Sequence, residues 1–98
     1  MALKDDAALL ILTSLAGGVR HGYAMIEDIA SITGTRIGPG TLYGAIARLE
    51  AEGMIEALQS DDRRRPYQIT PAGRQHLSTE IEGMKGLVAA GRRRLRRA

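Results

Sequence analysis

Apolar positions first gather at Leu9, Leu10, Ile11, Leu12 and Leu15, behind Asp5 and Asp6. Asp is a good N-cap, and two acidic residues suit the positive end of a helix dipole. Gly17–Gly18 ends the segment, so the pattern predicts a first helix from Asp6 to Ala16. It is apolar on most of its circumference, which implies burial on more than one side. A second periodic segment begins at Tyr23. Met25, Ile26, Ile29 and Ile32 fall on one face, and Ala24, Glu27, Asp28 and Ser31 on the other, before Gly34 closes the helix. Thr35 to Gly40 holds three breakers and reads as a short connection. Pro39 then opens a third helix, where its missing N–H costs nothing. Leu42, Ala45, Ile46 and Leu49 form the inner face of that helix, which stops at Gly53.

The period then changes. Met54 to Gln59 alternates, with Ile55 and Ala57 on one side and Glu56 and Leu58 on the other. Ser60 to Arg65 is a polar turn, and Pro66 to Ile69 reads as a second short strand with Tyr67 and Ile69 on one face. Proline belongs at a strand's first residue or on a sheet edge. Thr70–Pro71 has the chemistry of an N-cap followed by the first residue of a final helix. That helix carries Leu77, Ile81, Met84, Val88, Gly91 and Leu95 at alternating spacings of four and three, a heptad seam. Gly83, Gly86 and Gly91 each cost about 1 kcal/mol relative to Ala in an exposed helix. Packing against a partner would offset that cost. The predicted fold is mainly α with a small β-hairpin, in the order of a winged helix-turn-helix with an added C-terminal dimerisation helix.

Composition bounds the rest. A chain of 98 residues predicts one domain, with residues 1–73 as the winged helix-turn-helix and 74–98 as a dimerisation helix with a basic end. There is no Phe, Trp or Cys, so aliphatic side chains must form the core, and thiolate metal sites and disulfides are excluded. The apolar run from Ala7 to Leu12 is far short of the ~20 residues of a membrane span, and no signal peptide is visible. The expected location is the cytoplasm. Net charge is only +3, but it is unevenly spread. Met1 to Asp62 holds four basic and nine acidic residues, whereas Arg63 to Ala98 holds ten basic and two acidic ones. A concentrated positive half points to a polyanionic partner, or else to a solubilising tail.

Three groups of residues stand in a recognisable order. The first is His21–Gly22–Tyr23. The second is Pro39–Gly40–Thr41–Leu42–Tyr43, continued by Arg48–Leu49–Glu50 and Glu52–Gly53–Met54–Ile55. The third is Arg63–Arg64–Arg65 with Tyr67, Ile69–Thr70 and Gly73–Arg74. Together they resemble the PadR family of bacterial transcriptional regulators in its short form, over roughly residues 10 to 75. The resemblance implies a homodimeric repressor that binds a pseudo-palindromic double-stranded operator. It also implies a small, often aromatic or hydrophobic effector at the dimer interface. With no Cys, two His and no third ligand beside His76 and Glu80, no metal or organic cofactor is expected. Some positions depart from the family pattern. Gly38 stands where a Ser usually caps the third helix, and Gly44 and Ala47 stand where basic or polar residues are common. Pro66 replaces an aromatic, and no Trp exists to line an effector pocket.

On the third helix, Gly40, Gly44, Ala47 and Ala51 point away from the core by 100° stepping. A strip of small residues suits close approach to a major groove, although it equally fits an ordinary exposed face. Thr41, Tyr43 and Arg48 flank it. Thr41 and the Tyr43 hydroxyl suit phosphates, while Tyr43 could instead cover the hairpin and Arg48 could pair with Glu52. Arg63, Arg64 and Arg65 form a hairpin tip suited to phosphates or a narrow minor groove, or a solvated charge run. His21 and Tyr23 are read chiefly as locking the second helix to the fold. Leu9 and Leu12, with Leu77, Ile81, Met84, Val88 and Leu95, are the candidate dimerisation residues. Arg92–Arg94 and Arg96–Arg97 either stabilise a helix C-terminus or touch DNA non-specifically. Enzyme signals are poor, so no enzyme is expected: His76 and Glu80 lack a third metal ligand, and the glycine-rich Gly34–Thr41 lacks the Lys of a phosphate-binding loop. The competing reading is a winged-helix protein–protein module that uses the small face of the third helix.

Overall fold

The computed structural model describes residues 6–60 and 63–97. Asp5, assigned above to the first helix cap, and Asp61–Asp62, ahead of the arginine run, lie outside the described residues. Seven elements follow in order: α1 (Ala7–Ala16), β1 (Arg20–His21), α2 (Gly22–Thr33), α3 (Pro39–Ala51), β2 (Ile55–Ala57), β3 (Pro66–Ile69) and α4 (Pro71–Arg97). The fold is mostly helical with a small antiparallel sheet, a winged helix. Among the described residues no helix is long and apolar enough to cross a membrane.

Local chemistry accounts for most boundaries. Gly34 takes a left-handed conformation at φ 75°, and its N–H closes α2 on the Ala30 carbonyl. Gly38 precedes α3 without a side-chain cap, leaving Pro39 to set the first turn. At α4 the Thr70 hydroxyl accepts from the Gly73 N–H at 3.1 Å, as an N-cap should. Asp6 stands at the cap position of α1 but makes no side-chain cap hydrogen bond.

The expected hairpin of β2 and β3 is present, and β1 joins it in a three-stranded sheet in the order β1-β3-β2. Arg20 pairs with Tyr67 and His21 with Pro66, while Ile55, Glu56 and Ala57 pair with Ile69, Gln68 and Tyr67. Two residues are too few to carry a period-two signal, so β1 reads as a connection in the sequence. β3 is therefore the central strand, and Pro66 is tolerated there as its first residue. The sheet fixes the wing to the N-terminus of α2. A polar contact set strengthens that corner: Ser14, almost fully buried, donates to Asp28 at 2.7 Å, and Arg20 donates to the Ser14 carbonyl at 3.2 Å.

The core joins Leu10, Ile11, Leu12 and Leu15 of α1 to Met25, Ile26 and Ile29, then to Leu42, Ala45, Ile46 and Leu49. Ile55, Tyr67, Ile69 and Leu77 close it. One helix-face assignment fails. Ile32 continues the α2 face but is 55% exposed, whereas Ile37 of the connection is 4% exposed. Periodicity gives a side chain's direction but not how far the core extends beneath it. Ile37→Ala is expected to cost about 2–5 kcal/mol, and Ile32→Ala under about 0.5. Urea titrations of both variants check this; equal losses would contradict it.

Leu12 and Leu77, both candidates for dimer contact, lie inside this core at 1% and 7% exposure. Of the other candidates, Leu9 is half-buried, and Ile81, Met84, Val88 and Leu95 are exposed in the protomer. Beyond Leu77 the described residues of α4 have no buried side chain.

Candidate nucleic-acid interface

The turn from β1 into α2 and the middle of α3 meet through one aromatic ring. His21 has extended backbone and caps α2, its Nδ1 accepting from the Ala24 N–H at 3.3 Å. The imidazole proton is thereby left to Nε2. Gly22 follows, buried, and the Tyr43 ring lies against it. A side chain at Gly22 would collide with the Tyr43 hydroxyl. Glycine permits this close approach of the ring, and its φ is not unusual. The Tyr43 phenol thus sits beside the positive end of the α2 dipole while remaining 50% exposed.

The wing brings arginines to the same place. Tyr43 together with His21, Gly22, Tyr23 and Tyr67 lines a cleft of about 400 Å³, completed by Arg63, Arg64 and Arg65. A helix N-terminus, hydroxyls and three guanidinium groups make this an electropositive cleft able to take a phosphate-sized anion. Beside it, the outward strip of α3 is open. Gly40, Gly44 and Ala47 are exposed, and no atom lies within 4 Å of a Cβ built at position 40 or 44. Thr41 is exposed on the same helix.

Arg48 is not part of this grouping. It lines a different cleft, of about 290 Å³, with Asp6, Ala8, Leu9 and Leu12 of the α1 side and His76 and Glu80 of α4. Its helical angle lies between strip and core, and the packing of α1 against α3, with α4 on α1, settles which side it takes. Gly22 and Tyr67 also line the first cleft, beyond the candidate residues of the sequence. The adjacency of Gly22 to Tyr23 in the His-Gly-Tyr motif was the available signal. On the exposed side of α2, Arg36 pairs with Glu27 at 2.5 Å and lies 6.0 Å from the Tyr23 ring centre. The hydrogen bond from Arg36 holds the Glu27 carboxyl below its ordinary range and raises the guanidinium in turn. His76 and Glu80 approach only to 4.0 Å, and among the described residues no three His, Asp or Glu side chains could hold a metal ion.

Comparison with known proteins decides the family. Residues 11–79 match the model of the transcriptional regulator PadR-like family. The chain belongs to the PadR-like family. This PadR-like chain is 39% identical over 82 residues to transcriptional regulator Rv3488 of Mycobacterium tuberculosis, covering 81% of this chain and 76% of that one. It is 47% identical over 83 residues to an uncharacterized 37.1 kDa protein of transposon TN4556 from Streptomyces fradiae. There the match takes in 85% of this chain but only 24% of the relative, so the chain spans about a quarter of that protein's length. Among solved structures, a transcriptional regulator from Clostridium thermocellum superimposes with a TM-score of 0.79 at 30% identity, over 90% of this chain and 88% of that one. The family to which it belongs is one of transcriptional regulators, which is not a class of enzymes.

Proposed function

We propose that this PadR-like regulator acts as a homodimeric repressor on double-stranded DNA. Each protomer would set its α3 into a major groove, and the wing would hold the adjoining backbone. The observation that carries this reading is the meeting of Tyr43, the α2 N-terminus and the three wing arginines in one cleft beside the bare strip of α3. Small side chains let the α3 backbone approach the groove closely, while the cleft supplies phosphate contacts. The two protomers would address half-sites one helical turn apart, about 10 base pairs. Charge at the wing favours nucleic acid over a protein partner for this face.

Regulation would come from a small molecule at the dimer interface that binds one dimer geometry better than another, changing the spacing of the two α3 helices. An electrophoretic shift with genomic fragments in excess competitor DNA tests the DNA-binding reading. A retained, sequence-restricted complex is expected, and the absence of any fragment preference would contradict it.

Wing and helix divide the work. Arg63 and Arg65 are exposed on the turn and carry long charged arms, so they supply affinity without much sequence preference. Changing one phosphate-engaged arginine of this turn to Ala is expected to weaken specific and scrambled duplexes alike. It should also lower the slope of log affinity against log salt by about one unit. Anisotropy titrations at four salt concentrations measure both. Loss confined to the specific duplex would assign the arginine to base reading instead.

A further inference from the structure

We propose that Arg36, in the connection between α2 and α3, is a DNA-backbone contact that Glu27 holds in check. The carboxylate and a phosphate compete for one guanidinium, and the pair thereby limits how tightly the DNA face holds any duplex. This rests on the DNA-binding reading above. It adds a backbone contact outside the wing and α3, together with the residue that opposes it.

Placement comes from three contacts. Tyr23 and Glu27 are four residues apart on α2 and so share a face. The Tyr23 ring lines the cleft of the wing arginines, and the Arg36 guanidinium lies over the same ring, 6.0 Å from its centre. A single aromatic ring therefore links Arg36 to the cleft. The connection that carries Arg36 is fixed on both sides: the Thr35 N–H donates to the Thr33 hydroxyl at 3.0 Å, and Ile37 is sunk in the core. Arg36 is left on the surface, just before α3 and the bare strip that begins at Gly40. A phosphate strand seated in the cleft, with α3 in the adjoining groove, has Arg36 beside it.

Charge gives the pair its role. Arg36 binds Glu27 at 2.5 Å, and both side chains are about half exposed. The hydrogen bond from Arg36 holds the Glu27 carboxyl below its ordinary range, so Glu27 stays ionised at neutral pH. A guanidinium carries five N–H donors in a planar fork, and one carboxylate uses only part of them. Donors therefore remain for a second anion. An exposed ion pair contributes little to folding, and neither side chain belongs to the core. Its larger effect is on the surface potential. Glu27 cancels a cation that would otherwise extend the positive surface of the wing arginines past Tyr23.

The test needs no specific site, because every sequence offers the same phosphates. The full chain is titrated by anisotropy against a scrambled duplex of about 30 base pairs near 0.1 M salt, where a Debye length of ~10 Å confines charge effects to close neighbours. Glu27→Gln is expected to tighten binding at least about threefold and to steepen the salt slope by up to about one unit. Arg36→Ala alone should weaken binding by less than about twofold, since Glu27 already occupies that cation. With both changes the gain should disappear, leaving affinity within about twofold of Arg36→Ala. Melts of all three variants should stay within about 8 °C of wild type, as for the loss of an exposed ion pair, so binding is compared between folded proteins. Unchanged affinity in Glu27→Gln would overturn the proposal. A gain kept in full on the Arg36→Ala background would also overturn it, because the carboxylate would then act on DNA without Arg36. A wild type that binds no duplex at any salt would overturn the DNA-binding reading itself, so the two failures are distinct.

Discussion

Gly44→Leu is expected to separate folding from DNA recognition in a single substitution. Position 44 lies on the outward strip of α3, opposite Leu42, Ile46 and Leu49, and open space surrounds it. Replacing glycine in an exposed helix interior removes a propensity penalty of about 1 kcal/mol, so thermal stability should hold or rise. A groove-inserted helix cannot accept the added isobutyl group without moving outward, which would strip the strip's neighbours, Thr41 among them, of their base contacts. Affinity for the specific site should fall at least tenfold, or roughly 1.4 kcal/mol, and affinity for a scrambled duplex by less than about threefold. Paired titrations on the two duplexes, with a thermal melt of the same sample, read all three quantities. Equal losses on both duplexes would contradict groove insertion and favour a protein partner for this face.

The second large effect is on stability. Gly73 is buried in the first turn of α4, and a Cβ there would sit against the Met54 carbonyl oxygen and 2.8 Å from Cγ1 of Ile69. The carbonyl cannot retreat easily, because it already accepts from the Thr70 N–H at 3.0 Å. The next carbonyl back, on Gly53, accepts from the Thr70 hydroxyl at 2.7 Å. Gly73→Ala should therefore destabilise by about 3 kcal/mol, the upper end of ordinary overpacking, despite the better helix propensity of alanine. For a chain of this size that corresponds to a fall in Tm of roughly 12–24 °C by circular dichroism. A melt within about 2 °C of wild type would show that α4 does not dock on the sheet as described.

These two glycines mark where the sequence was legible and where it was not. The outward strip of α3 could be read from 100° stepping alone, as could its inner face, because both depend on local periodicity. So could the caps at Gly34 and Thr70, which depend on neighbours within four residues. The contacts of Gly22 with Tyr43 and of Gly73 with Met54 join segments about 20 residues apart. No spacing rule encodes them. β1 was too short for alternation to register, and the exchange of roles between Ile32 and Ile37 depends on where the core ends. Arg48 and Tyr43 flank the same strip in the sequence, and only the packing of α1 on one side of α3 and of α2 on the other sends them to different clefts. The seam is legible only in part for a related reason: a heptad spacing cannot tell which of its residues the protomer's own core takes, and Leu77 lies in that core.

The most direct measurement is a hydroxyl-radical footprint of the protein on a DNA fragment recovered from genomic competition. The account predicts two protected half-sites related by an inverted repeat, one helical turn or a whole multiple of it apart. Protection of backbone next to each major-groove contact would mark the wing. Uniform protection along the fragment, or protection unchanged by Gly44→Leu, would contradict the claim that α3 and the wing together read DNA.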